Sequence, residues 1–261
     1  MSAIEVDGRR FAWREVGEGA PLLLVNGYAA TGADWDPTFL ATLASANRVI
    51  CPDNRGFGDS ELGDGEVSVD GMAADLEALL DALAIERPAV AGWSLGGFVA
   101  QRLAERTPSR VASLALIDTD PGGPEAVRAA PAEWARLLDH SGTPREQASR
   151  LIGLLFPPGP AAEIDRQLGD VVAAARERLS TEALRAQEQA MDAWHRAERP
   201  APPAERPPTV VVHGAEDVVI PAANAAPLGE RWGAERVERI VGCGHAVMAQ
   251  QPARVAALLA A

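Results

Sequence analysis

Val90-Ala91-Gly92-Trp93-Ser94-Leu95-Gly96-Gly97 anchors the chain, because it runs an apolar strand straight into a helix with a serine at the bend. The spacing Gly92-x-Ser94-x-Gly96 is that of a nucleophile elbow. So sharp a bend forces the serine into a strained backbone conformation. It also brings the flanking positions against the neighbouring strand and helix, where side chains would collide. The outcome is an exposed, rigidly held hydroxyl. The surroundings agree with this: Ala89-Val90-Ala91 has the pattern of a buried strand, and Phe98, Val99, Leu103 and Ala104 recur at helical spacing up to Pro108.

Upstream, residues 3–7 and 10–16 predict two short strands around the turn Asp7-Gly8. Pro21-Leu22-Leu23-Leu24-Val25 is a continuous apolar run typical of a strand covered on both faces, and it ends in Asn26-Gly27-Tyr28. A helix from about Pro37 to Ala46 and a buried strand Arg48–Pro52 follow. Asp53-Asn54-Arg55-Gly56-Phe57-Gly58-Asp59-Ser60 is a tight polar turn. No helix starts directly after it, so it is a structural corner rather than a phosphate cradle. Met72, Leu76, Leu79, Leu80 and Leu83 form the apolar stripe of a helix from Val69 to Ala84.

Downstream, Val111–Ile117 predicts another buried strand, ending at Asp118-Thr119-Asp120. From there to about Arg206 the pattern is helical, with four groups: Trp134/Leu137/Leu138, Leu151/Ile152/Leu155, Ile164/Leu168/Val171/Val172 and Leu184/Met191/Trp194. The exit, Arg199 to Pro208, is proline-rich and predicts a stiff linker. Strands then resume at Thr209–Val212, which leads to His213-Gly214-Ala215-Glu216-Asp217, and at Arg236–Val241, which leads to Gly242-Cys243-Gly244-His245. A helix from Pro252 to Ala260 closes the chain.

Composition bounds the function. A chain of 261 residues, 47% of them apolar, can bury one large core plus an insertion. A net charge of -13 disfavours nucleic acid and anionic membranes as partners. All 24 positive charges are arginine, which excludes Schiff-base chemistry and a P-loop, since both need a lysine. Cys51 and Cys243 make neither a disulfide framework nor a metal-ligand pattern and are expected as buried thiols. No apolar run approaches membrane-spanning length, and the start Met1-Ser2-Ala3-Ile4 lacks a secretory pattern, so a cytoplasmic location is expected.

Taken together, the arrangement resembles the α/β-hydrolase fold superfamily over essentially the whole chain. The residues that carry the resemblance are Asn26-Gly27-Tyr28, Asp53-x-Arg55-Gly56-x-Gly58-x-Ser60, Gly92-Trp93-Ser94-Leu95-Gly96-Gly97, His213-Gly214-x-x-Asp217 and Gly244-His245. The resemblance implies a mostly parallel eight-stranded sheet flanked by helices, with a helical cap inserted after the sixth strand. The core would then be 1–118 and 206–261, and the cap 119–205. It also implies a Ser…Asp…His triad in that chain order. Many relatives have His-Gly where this chain has Asn26-Gly27, a departure that touches the oxyanion loop.

A serine hydroxyl needs a base to take its proton and a third group to hold that base. Ser94 is the candidate nucleophile. Of the four histidines, His245 lies in a glycine-flanked loop that lets the ring swing over the sheet edge, and it is the candidate base. His140 and His195 fall in the helical insertion and are expected to be solvated or packed, while His213 is expected to shape the acid turn. Asp217 is the candidate acid, with Asp118 and Asp120 as rivals and Glu216 as a solvated neighbour.

Backbone N–H groups of Leu95 and Tyr28 are the candidate oxyanion hole, although Tyr28 can also serve as plain pocket wall. Of six tryptophans, Trp93, Trp134 and Trp194 are candidates for lining an apolar pocket, against simple packing. No cofactor or metal is expected.

The function expected is a serine hydrolase cleaving a small, uncharged, hydrophobic carboxylic ester or lactone through an acyl-enzyme. The alternatives are C–C bond hydrolysis, acyl transfer or perhydrolysis on the same triad, or a non-enzymatic small-molecule receptor of the same fold. A homo-oligomer is compatible with the composition.

Overall fold

A computed structural model describes residues 2–259. Strands β1 (Ser2–Val6) and β2 (Arg9–Val16) are joined by Asp7 and Gly8, both at positive φ, the conformation that a two-residue hairpin turn requires. Then come β3 (Ala20–Val25), α1 (Pro37–Ala44), β4 (Asn47–Pro52), α2 (Val69–Ala82), β5 (Ala89–Trp93), α3 (Leu95–Arg106) and β6 (Ser113–Ile117). Four helices follow: α4 (Pro131–Leu137), α5 (Pro144–Leu155), α6 (Pro158–Arg176) and α7 (Thr181–Arg196). The chain ends with β7 (Thr209–Gly214), α8 (Ala225–Trp232), β8 (Arg236–Ile240), α9 (Val247–Gln250) and α10 (Pro252–Leu259). Ala260, expected in the last helix, lies outside the described residues.

One eight-stranded sheet runs β1-β2-β4-β3-β5-β6-β7-β8. It is antiparallel where β2 meets β1 and β4, and parallel elsewhere. Alternation along the strands feeds two cores. Leu23, Val25, Val90 and Leu116 pack with Leu79, Phe98, Leu103 and Trp232 from α2, α3 and α8. Leu24, Ala91, Ile117 and Val212 pack with Phe39, Leu43, Val247 and Val255 from α1, α9 and α10. Covering both faces is what permits parallel strands with no polar side, and each large apolar side chain buried this way contributes about 1.5–3 kcal/mol.

Helix starts follow local chemistry. Asp36 accepts the Phe39 N–H at 2.8 Å ahead of Pro37, and Ser68 accepts that of Gly71 at 3.0 Å. Thr143 and Glu146 close a capping box on α5. The corner at Asp53 is structural: its carboxylate accepts the Gly32 N–H at 2.7 Å and the Asp59 N–H at 3.0 Å.

Helix α8 departs from expectation. Ala225, Leu228 and Trp232 carry a helical spacing and are buried, but Pro227 in the first turn disguises it in the sequence. The strand expected from Val111 starts only at Ser113, because residues Pro108–Arg110 form a short 3-10 turn. Among the described residues no helix is long and apolar enough to cross a membrane.

Candidate active site

Ser94 joins β5 to α3 at φ 56° and ψ -123°, a backbone strain held by its surroundings. A Cβ at Gly96 would lie 2.1 Å from the Val25 carbonyl oxygen, and one at Gly92 2.2 Å from that of Gly96, so both positions require glycine. The Ser94 N–H donates to the Ile117 carbonyl at 3.0 Å, and the Thr119 hydroxyl donates to the Ser94 carbonyl at 2.8 Å. These bonds fix the bend from both sides.

The loops after β7 and β8 bring two further residues to the same edge. His245 Nε2 lies 2.9 Å from Ser94 Oγ, and His245 Nδ1 lies 2.7 Å from Asp217 Oδ2. All three residues are buried, so the Ser94 hydroxyl, expected from the sequence to be exposed, is instead enclosed. The loop after β7 wraps around the Asp217 carboxylate, whose Oδ1 accepts the N–H groups of Val219 at 2.8 Å and Ile220 at 2.9 Å. His213, at the end of β7, donates from Nε2 to the Ile220 carbonyl at 2.7 Å and sits 3.4 Å from Asp217 Oδ2.

Burial alone would raise the pKa of Asp217. The charge of His245 and the hydrogen bonds from His213 and His245 outweigh it and hold the carboxyl down to about 2. A carboxylate can only accept, so Nδ1 of His245 carries the proton and Nε2 is left to receive one from the Ser94 hydroxyl. The arrangement can therefore deprotonate a serine and stabilise the imidazolium that results.

The rival aspartates go elsewhere. Asp118 is fully buried at φ 45°, and its carboxylate accepts the N–H groups of Gly214 at 2.7 Å and Val247 at 3.1 Å. It ties β6, β7 and the start of α9 together without hydrogen-bonding His245. Burial pushes its pKa up to about 7, with the charge of His213 opposing the rise and that of Asp217 adding to it. Asp118, Asp217 and His245 lie within 4.8 Å of one another, but His245 already spends its two nitrogens on Ser94 and Asp217.

Asp120 pairs with His195 Nε2 at 2.9 Å and accepts from the Gly122 N–H at 2.8 Å and Trp194 Nε1 at 3.3 Å. Glu216 is exposed, His140 Nε2 meets Glu188 at 2.6 Å, and Cys51 and Cys243 are buried free thiols.

Above the serine lies a cavity of about 600 Å³, bordered by Tyr28, Trp93, Phe98, Trp134, Leu155 and Ile220 as well as Ser94 and His245. Trp93 borders it and donates from Nε1 to the His245 carbonyl at 2.7 Å. Trp194 corrects the sequence-based expectation: it does not border the cavity. It stacks on Phe98 at 5.1 Å with the Arg199 guanidinium 3.5 Å from its ring centroid, so Phe98 takes the wall position and Trp194 supports it from behind.

The loop bearing Tyr28 is fastened at several points. The Asn26 side-chain amide donates to the Thr31 carbonyl, closing the loop. Ala29 sits at φ 57°, and its N–H donates to Gln187 Oε1 of α7 at 2.9 Å. The Tyr28 hydroxyl donates to Glu188 at 2.6 Å. On the other side the Ala246 N–H donates to the Leu155 carbonyl at the end of α5, at 3.1 Å. Leu95 opens α3, where an N–H has no carbonyl one turn back to bond.

Gln187 and Glu188 were not among the sequence candidates. The signal was there: Gln187 lies three residues after Leu184 and four before Met191, a polar residue on an apolar helical stripe.

A family model described as alpha/beta hydrolase fold matches residues 20–252. A 2-hydroxymuconate semialdehyde hydrolase of Pseudomonas sp. (strain CF600) is 31% identical over 266 residues, covering 97% of this chain and 89% of that protein. A pimeloyl-(acyl-carrier protein) methyl ester esterase of Aromatoleum aromaticum is 35% identical over 207 residues, covering 70% of this chain and 78% of that protein. The crystal structure of the enol-lactonase from Burkholderia xenovorans LB400 superposes with a TM-score of 0.80 at 25% identity, over 99% of this chain and 98% of that one.

Proposed function

The chain belongs to the α/β-hydrolase fold family and is an enzyme of it, and we propose that it is a serine hydrolase that cleaves a small carboxylic ester or lactone through an acyl-enzyme. The observation that carries this proposal is the continuous chain Ser94 Oγ, His245 Nε2, His245 Nδ1, Asp217 Oδ2, with links of 2.9 and 2.7 Å, at the floor of a largely apolar cavity. Ser94 attacks the carbonyl while His245 takes its proton. Asp217 holds the ring and balances its charge, and His245 then returns the proton to the leaving oxygen. Water, activated by the same imidazole, releases the acid.

The N–H groups of Leu95 and Tyr28 receive the negative oxygen of the tetrahedral intermediate. The dipole of α3 assists at Leu95. Residues 119–205 act as a cap over the core formed by 1–118 and 206–261, with Trp93 and Trp134 as apolar walls. Two unpaired cysteines suit a reducing, cytoplasmic setting.

The test is covalent. A fluorophosphonate probe labels the wild type and not Ser94→Ala, and p-nitrophenyl acetate or butyrate is turned over repeatedly. Labelling at any other residue, or binding without turnover, would overturn the proposal. A second reading, C–C bond hydrolysis, draws support from the 2-hydroxymuconate semialdehyde hydrolase, whose match spans 97% of this chain. Faster turnover of a vinylogous 1,5-diketone than of any ester in a panel would select it.

A further inference from the structure

We propose that Arg176 binds a carboxylate carried by the substrate, so that the molecule attacked by Ser94 is an ester or lactone with one free acid group. This rests on the serine-hydrolase proposal above and departs from the uncharged acyl group expected from the sequence.

Arg176 is the last residue of α6 and borders the same cavity as Ser94 and His245. Deeply buried arginines elsewhere in the chain are matched with acids: Arg9 and Arg55 with Asp75, and Arg199 and Arg231 with Glu105. Among the described residues Arg176 has no carboxylate oxygen within 4.0 Å and no hydrogen-bond acceptor, and its Nε is buried without a partner.

The nearby acid Glu188 acts on Arg176 by charge but forms no ion pair with it, and its Oε1 turns away to accept the Tyr28 hydroxyl and to meet His140 Nε2, each at 2.6 Å. The nearby cation Arg150 is tied to the Asp139 and Ser141 carbonyls. Arg128 and Arg178 also border the cavity, but both are exposed, and the Arg128 guanidinium lies over the Trp134 ring at 5.0 Å. Burial depresses the pKa of Arg176, with the charge of Arg150 adding to the fall and that of Glu188 opposing it.

A half-buried cation without a partner is unfavourable in the empty site, and an anion arriving in the cavity relieves that cost. The planar fork of a guanidinium matches the two oxygens of a carboxylate. A cavity of about 600 Å³ that is otherwise largely apolar leaves room for a short carbon skeleton around one such group.

The experiment compares matched substrates. Mono-p-nitrophenyl glutarate is set against p-nitrophenyl pentanoate, placing the charge on the acyl arm, and 4-acetoxybenzoate against 4-methylphenyl acetate, placing it on the leaving arm. In the wild type, kcat/KM for one of the charged members exceeds that of its neutral partner by about ten- to hundredfold, the worth of a charge-assisted hydrogen bond. In Arg176→Gln that ratio collapses toward one, mainly through KM, and Arg176→Lys restores part of it.

Pentanoate inhibits the wild type better than pentanol and loses that advantage at high salt. This second readout needs no variant to fold. Equal rates within both pairs, together with equal inhibition by acid and alcohol, overturn the assignment of Arg176. The serine-hydrolase proposal survives that outcome if the probe still labels Ser94 and the neutral esters turn over, and it fails separately if they do not.

Discussion

Two buried histidine–aspartate pairs bring a histidine to one cavity, His245 held by Asp217 at 2.7 Å and His195 held by Asp120 at 2.9 Å. Their carboxylates are supported alike. Oδ1 of Asp217 accepts two backbone N–H groups, and Oδ1 of Asp120 accepts one backbone N–H and one indole N–H. The difference lies on the far side of each ring. His245 presents Nε2 to the Ser94 hydroxyl, whereas the other nitrogen of His195, Nδ1, is buried and has no partner among the described residues. A histidine held by a carboxylate is thus not by itself a site. The proposed site arises where a strained turn puts a hydroxyl within reach of the other nitrogen, whereas the His195–Asp120 pair joins α7 to the loop after β6.

Removing the proposed nucleophile should have the largest effect: Ser94→Ala should lower kcat by about a millionfold in steady-state ester hydrolysis. Asp217→Asn should cost about ten thousandfold in kcat with KM little changed, since the ring loses its orienting acceptor. A severe loss on Asp120→Asn with a mild one on Asp217→Asn would reverse the roles assigned to the two pairs.

Gln187→Ala frees the Ala29 N–H and should lower kcat about tenfold through the Tyr28 loop, while fluorophosphonate labelling of Ser94 persists. His195→Ala should change kcat by less than about tenfold. It leaves Asp120 buried and unpaired, so denaturant unfolding should report a loss of about 3 kcal/mol.

A further expectation concerns pH. Burial pushes the Asp118 carboxyl from its ordinary 3.8 up to about 7, so the folded state binds its proton more tightly than the unfolded state does. Its contribution is present below the unfolded value and is lost as pH rises toward 7. The stability gap between wild type and Asp118→Asn should therefore narrow between those limits.

The elbow was legible because its constraints are local: Gly92, Ser94 and Gly96 sit within one turn, and each glycine meets a backbone atom. The choice between Asp118 and Asp217 was not readable from residue types, since both follow strands that end at the same edge. Register sends the two to different partners. Ile117 pairs with Val212, so Asp118 points at the Gly214 N–H, and the turn four residues past His213 delivers Asp217 to the ring.

Trp194 was misassigned because which aromatic faces a cavity depends on what stacks against it, and Phe98 and Arg199 lie 96 and five positions away. Arg176 is invisible to sequence for a related reason, since an arginine is remarkable only once its missing partner is known.

The bonds from Ala29 to Gln187 and from Ala246 to Leu155 suspend the two sides of the serine from different helices of the inserted segment. A chimera that transplants a foreign insertion between β6 and β7 would inherit the elbow intact yet lose both moorings. Grafts that keep an acceptor facing each of these two amides are the ones in which altered selectivity and retained rate can coexist.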